Sequence, residues 1–364
     1  MAVPSGSPTV VYAYVTNGST SISQFVANPA KGTLQANTPA TVPSHARIKS
    51  ALAPVASPSP DVWQVVTDPS QQFTFTSEIP VGGGGGGWNI VARPINTDGT
   101  LGNAISTASS LPPAPPVSGG LISLLNGTQS IVVFGNGASL ETYVETSPGV
   151  LSSPQPLPSP SSGGPVAATV VGSTPFAYQA IGGGLIQPIA LVGPSASPSA
   201  SGTPVSLPVP SATPSSSNLT DVQAMSIGNF SSTQQLYALS TVQSNTTNVQ
   251  SEAEVDAFTI AADGSIQNTG EILIPFGNPD DPNALAISIA VENPPPPLLP
   301  RYLLVGVTDS SPGSTHNPNL YYVALGAGGA LPASATPFFD GDTNTVPDTS
   351  GPVAISIFDF FAVP

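Results

Sequence analysis

The chain has 364 residues, of which 39% are hydrophobic, enough to bury the core of one large domain. Only 7% are charged, the formal net charge is −15, and Lys and Arg together number five. Nucleic acid and anionic membrane surfaces are therefore excluded as expected partners, since both need clustered cations. There is no cysteine, so disulfides and thiolate chemistry are excluded, and no apolar run approaches the ~20 residues of a helical membrane span.

Pro (44) and Gly (36) are abundant, a composition shared with disordered chains. Apolar strand-like runs nevertheless recur along the whole length, which disorder does not produce. They repeat every 45–70 residues or so, near the spacing of propeller blades. In chain order, the second strand of each unit is predicted at Val11–Thr16, Val62–Thr67, Ile131–Phe134, Phe176–Ala180, Leu236–Leu239 and Tyr302–Val307. Third strands are predicted at Ile22–Val26, Trp88–Pro94, Leu140–Val144, Leu185–Val192, Val255–Ile260 and Leu320–Leu325. Inner strands follow as Ile48–Leu52, Leu121–Leu125, Val166–Val171, Val222–Ile227, Leu285–Val291 and Val353–Ile357.

After most third strands comes a glycine turn and an apolar residue, as in Asp98-Gly-Thr-Leu101 and Asp263-Gly-Ser-Ile266; glycine takes positive φ there at little cost. The fourth unit lacks this turn and carries Gly193-Pro-Ser-Ala-Ser instead. Three strands end alike, at Val15-Thr-Asn17, Val66-Thr-Asp68 and Val307-Thr-Asp309, where Asn or Asp can bond its own backbone and start a turn. The tetrapeptide Ala-Ile-Ser-Ile occurs at 286–289 and again at 354–357. After the second copy the chain stops, and its missing partner strand is at the other terminus.

The expected architecture is thus an all-β propeller spanning 1–364 as a single domain, its ring closed by pairing of the C-terminal inner strand with the N-terminal strands. Six blades are expected, at 353–364 plus 8–43, 44–110, 111–163, 164–217, 218–282 and 283–352. A seventh has room in the long second unit or between Pro332 and Thr349.

Tyr12-Ala-Tyr-Val-Thr-Asn17, Ile22-Ser-Gln-Phe25 and Lys31-Gly-Thr-Leu34 together resemble the repeat of the YVTN / lactonase-like β-propeller proteins. The resemblance is specific over about thirty residues and covers the rest only as strand–turn rhythm. It implies a propeller, commonly of seven blades, and relatives that include 6-phosphogluconolactonase-like enzymes and exported proteins. No lactonase active-site motif is matched, so the resemblance carries the fold and not the reaction.

Chemistry-bearing residues are few. His45, Arg47 and Lys49 alternate, which places them on one strand face as a candidate channel site for a carboxylate or phosphate. Asp340, Asp342, Asn344 and Asp348 space oxygen ligands at a candidate calcium site, without the terminal glutamate of an EF-hand. Glu252, Glu254 and Asp256 alternate too and read as a solvated edge, while Arg93 and Arg301 read as ion-pair partners. The six glycines at 82–87 precede a strand and lack the Lys-Ser/Thr of a phosphate loop.

Three functions are expected, in this order. The first is an exported, extracellular or cell-surface protein that assembles with copies of itself into a sheath, surface layer or filament, its export signal absent from this sequence. The second is recognition of a glycan or peptide, with Trp63 or Trp88 as stacking platform. The third is lactonase-like hydrolysis at the channel, using His45, Arg47 and Glu78 with calcium near Asp340.

Overall fold

A computed structural model describes residues 10–16, 21–28, 33–43, 62–68, 70, 72–78, 89–109, 120–135, 139–158, 164–193, 195–208, 217–219, 222–231, 233–244, 250–275, 285–292, 299–308, 320–334, 336–337 and 354–360. Among these residues, apart from a short 3₁₀ turn at Ala327–Gly329, every regular element is a strand.

The strands form antiparallel sheets of propeller type. Five sheets each come from one continuous stretch of chain. The second sheet holds β4 (Val62–Thr67), β5 (Phe73–Glu78), β6 (Asn89–Pro94) and β7 (Ser106–Ser109). The third holds β8 (Leu121–Asn126), β9 (Gln129–Gly135) and β10 (Ser139–Ser147), with β11 (Val150–Leu151) and β12 (Gln155–Pro158) both on β10. The fourth holds β13 (Val166–Val171), β14 (Thr174–Ala180) and β15 (Leu185–Val192), with β16 (Ser197–Ala200) and β17 (Val205–Ser206) on β15.

In the fifth, β18 (Ser217–Leu219) and β19 (Ala224–Asn229) share one edge of β20 (Gln234–Ser244), followed by β21 (Gln250–Ile260) and β22 (Ile266–Pro275). The sixth holds β23 (Leu285–Val291), β24 (Tyr302–Thr308), β25 (Leu320–Ala324) and β26 (Thr336–Pro337). The remaining sheet joins both ends of the sequence: β27 (Ala354–Phe360) pairs with β1 (Val10–Thr16), followed by β2 (Ser21–Asn28) and β3 (Thr33–Pro43).

The two Ala-Ile-Ser-Ile copies fall in β27 and β23, each the first strand of its sheet. They pair equivalently: Ser356 faces Tyr14, two residues before Thr16, and Ser288 faces Gly306, two before Thr308.

Sheet two departs from the sequence reading. Val62–Thr67 is its first strand rather than its second, and Phe73–Glu78, absent from the reading, is the second. The Val-Thr-Asp ending misled because it occurs at the ends of both first and second strands. At β4 it serves the turn: the Asp68 carboxylate accepts from the amides of Ser70, Gln72 and Phe73. Ile48–Leu52, read as the inner strand, lies outside the described residues.

Apolar clusters fill the spaces between successive sheets. Tyr12, Tyr14 and Ile22 meet Val65 and Leu101; Phe75 and Ile90 meet Leu121, Val132 and Phe134; Ile131 and Val133 meet Ala177 and Ile189. Phe176 and Ile186 meet Leu236 and Phe258, and Leu239 and Val255 meet Leu303 and Val323. Full burial of a ring such as Phe75 contributes about 2–3 kcal/mol.

Each of these five interfaces also carries the same polar stitch. A hydroxyl donates to the backbone carbonyl of a positive-φ residue in the turn after the next sheet's third strand. Tyr14 reaches Gly99 (2.7 Å), Thr142 reaches Ala196 (3.0 Å), Tyr178 reaches Gly264 (3.0 Å), Tyr237 reaches Gly329 (2.6 Å), and Ser106 reaches Gly149. The turns fit tightly: a Cβ on Gly264 (φ 81°) would lie 2.4 Å from the Phe176 ring. In sheet four, Ala196 itself takes φ 51°, which is how that unit turns without the usual glycine. Gln24 adds a stitch between the first two sheets. It is wholly buried, its amide donates to the Pro39 carbonyl (2.7 Å), and its oxygen accepts from the Leu101 amide (2.7 Å).

Candidate functional site

Antiparallel pairing sorts the connections by end. Turns joining first to second and third to fourth strands gather at one end of the sheets. Connections from second to third strands, and from each sheet to the next, leave from the other. His45, Arg47 and Lys49 fall between β3 and β4, and Asp340, Asp342, Asn344 and Asp348 between β26 and β27; all seven lie outside the described residues. Trp88 does so too, while Trp63 falls in β4.

Glu78, read as a hydrolase candidate, ends β5 and is 2% exposed. Arg93 on the adjacent β6 donates from Nη1 to Glu78 Oε1 (3.1 Å) and Thr76 Oγ1 (3.0 Å). Arg93 on the next strand thus meets the charge of the buried Glu78 carboxylate. Arg301 pairs likewise with Glu292, through its backbone amide (2.7 Å) and its guanidinium. Both arginines are thus ion-pair partners, as read from the sequence.

The strand read as a solvated edge is the opposite. β21 is the third strand of its sheet, covered by β20 on one side and β22 on the other, and Glu254 and Asp256 are wholly buried. Alternation places Glu254 and Asp256 on the face shared with Phe258 and Leu236, which packs on sheet four. Across the ladder Asp256 opposes Glu271, and a bulge between Ala257 and Phe258 lets Asn268 approach as well, its amide donating to Asp256 Oδ1 (3.3 Å). Glu254, Asp256 and Glu271 each offer an oxygen, all within 4.8 Å of one another.

Neither oxygen of Glu254, nor Oδ2 of Asp256, has a hydrogen-bond partner. Burial, then the charges of Asp256, Glu271 and Glu252, pushes the Glu254 carboxyl up to about 9. Burial and Glu271 push Asp256 up to about 7, against the lowering effect of Asn268. The sequence held a signal for this burial: the same face of β21 continues into Phe258 and Ile260, which no solvated edge would present.

No protein-family model and no curated protein matches the chain. Solved structures do. The chain is similar to a candidate 6-phosphogluconolactonase from Bacteroides uniformis, at 13% identity over 91% of this chain and 83% of that one, with TM-score 0.52. A second candidate 6-phosphogluconolactonase, from Bacteroides fragilis, aligns at 13% identity over 98% and 99%, TM-score 0.48. A GH43 endo-arabinanase from Bacillus licheniformis aligns at 12% over 75% and 95%, TM-score 0.39. The first likeness establishes the propeller fold across nearly the whole chain. Among the described residues no helix is long and apolar enough to cross a membrane.

Proposed function

We propose that this chain is a lactonase-like propeller of the YVTN kind, acting on a small anionic lactone or related sugar ester. The observation that carries the proposal is the near full-length likeness to a candidate 6-phosphogluconolactonase. The YVTN-like first unit supports the same kinship. In this reading the protein has six blades, the first assembled from both termini to close the ring. Pairing of β27 with β1, and its contacts with β4 and β23 of the flanking sheets, support closure.

The site would lie at the end where the inter-sheet links emerge, with Arg47, Lys49 and His45 receiving the anionic group. In so acidic a chain, cations concentrated in one link favour a ligand of opposite charge. The acidic loop from Asp340 to Asp348 would hold calcium nearby. A panel of phosphorylated and unphosphorylated aldonolactones, assayed with wild type and Arg47→Ala, tests this. Turnover that falls at least about tenfold in the variant supports it. No turnover, or turnover indifferent to Arg47→Ala, overturns the site.

A second reading, an exported surface protein assembling with itself, rests on a sequence rich in Ser, Thr and Pro in which only 7% of residues are charged. Electron microscopy of concentrated protein separates the two: ordered polymers favour assembly, dispersed single particles the hydrolase.

A further inference from the structure

The geometry points to a calcium site inside sheet five, built from Glu254, Asp256, Glu271 and Ser240, separate from the link-bearing end and independent of any lactonase activity. Three carboxylates meet there on neighbouring strands, with ligand oxygens within 4.8 Å of one another. Oxygens bound to calcium at 2.3–2.6 Å lie at most about 5 Å apart across the ion, so one ion can reach all three.

A second observation comes from a different strand. Ser240 on β20 is wholly buried, its hydroxyl has no hydrogen-bond partner, and it lies directly opposite Glu254 in the ladder, on the same face. A buried hydroxyl and a buried carboxylate side by side would ordinarily bond each other. Their separate, unpartnered oxygens suit convergence on a third body. A cation is the body that suits carboxylates, and the two cationic side chains among the described residues, Arg93 and Arg301, are engaged with Glu78 and Glu292 instead.

The donors are all oxygen, which selects a hard cation over a thiophilic or imidazole-seeking metal. They are irregularly placed around a β-bulge, which suits the flexible coordination of calcium better than the near-ideal octahedron magnesium demands. Bound there, the ion would tie β20, β21 and β22 together on the face that packs on sheet four. It would thereby brace a blade interface rather than take part in a reaction.

The test is calorimetric titration of calcium chloride into the full chain after EDTA treatment and gel filtration, with long equilibration between additions. Melting temperatures are measured in calcium and in EDTA alongside. Wild type should take up calcium and melt higher in its presence. Glu254→Gln should lose one ion per chain, or bind it at least about tenfold more weakly. Glu271→Gln, at the half-buried member, should weaken it in the same direction and decides the matter if Glu254→Gln does not fold. Absence of calcium uptake by wild type, with equal melting in calcium and EDTA, overturns the site. So does uptake of the same stoichiometry and affinity in the variants, which would put the ion elsewhere, for instance at Asp340–Asp348.

Discussion

Sheets two and five both bury carboxylates at a blade interface, and they resolve the charge in opposite ways. In sheet two, Glu78 has Arg93 on the next strand and Thr76 beside it, so charge and hydrogen bonds are met within the sheet. In sheet five, the strand next to Glu254 and Asp256 supplies Glu271, another acid, and Ser240 opposite makes no hydrogen bond. Burying a carboxylate costs several kcal/mol unless a counter-charge, a proton or a metal meets it. Sheet two carries its own counter-charge; in sheet five a proton or a cation from solution has to meet the carboxylates.

The largest effect should come from breaking the satisfied case. Arg93→Met strands Glu78 as an uncompensated buried charge and should cost about 3–5 kcal/mol in urea unfolding. A loss under 1 kcal/mol would mean that Glu78 finds water or a proton and that the two sheets differ less than described.

Gly264→Ala probes the interface over the acids. The new methyl meets the Phe176 ring and sits at positive φ, so a loss of about 2 kcal/mol or more is expected. The same substitution at Gly127 (φ 63°), where nothing lies within 4 Å, should cost only the backbone part, about 1 kcal/mol.

Glu254→Gln should act in the opposite direction. In EDTA at pH 8 folding must return to Glu254 a proton that the unfolded chain has given up; the amide needs none, so stability should rise by about 1 kcal/mol or more. Destabilisation there would mean that the carboxylate has a partner worth keeping. The smallest effect belongs to Tyr178→Phe, which leaves the Gly264 carbonyl without its donor and should cost about 1 kcal/mol.

Much of the fold was legible because strands and turns write themselves locally. Leu285–Val291, Val166–Val171 and Leu185–Val192 coincide with their observed strands, and the Ala-Ile-Ser-Ile copies both mark first strands. Phe73–Glu78 was missed because a turn signature shared by two strand positions fixed the wrong register in sheet two. The acidic cluster was seen as a pattern but given the wrong surroundings. Alternation tells which residues share a face, and only the neighbouring blade decides whether water covers it. The hydroxyl stitches were not foreseen, since each joins residues of different sheets. Their trace was the aromatic-x-Tyr pattern of Tyr12-x-Tyr14 and Phe176-x-Tyr178, about 85 positions before the glycine each tyrosine bonds.

The most direct measurement is the melting temperature in EDTA between pH 6 and 9, for wild type and for Glu254→Gln/Asp256→Asn. The two buried acids hold protons in the folded chain up to about 7 and about 9, whereas the unfolded chain releases them near the ordinary carboxylate range. The folded state then binds more protons across this window, so stability must fall as pH rises through it. Asp98 and Asp263, whose carboxyls lie below their ordinary value, have finished titrating well below the window and add no slope. The account predicts a steady decline in wild type, a flatter profile in the double variant, and recovery of the wild type at high pH on adding calcium. Parallel profiles for the two proteins would contradict it and show that sheet five buries no uncompensated charge.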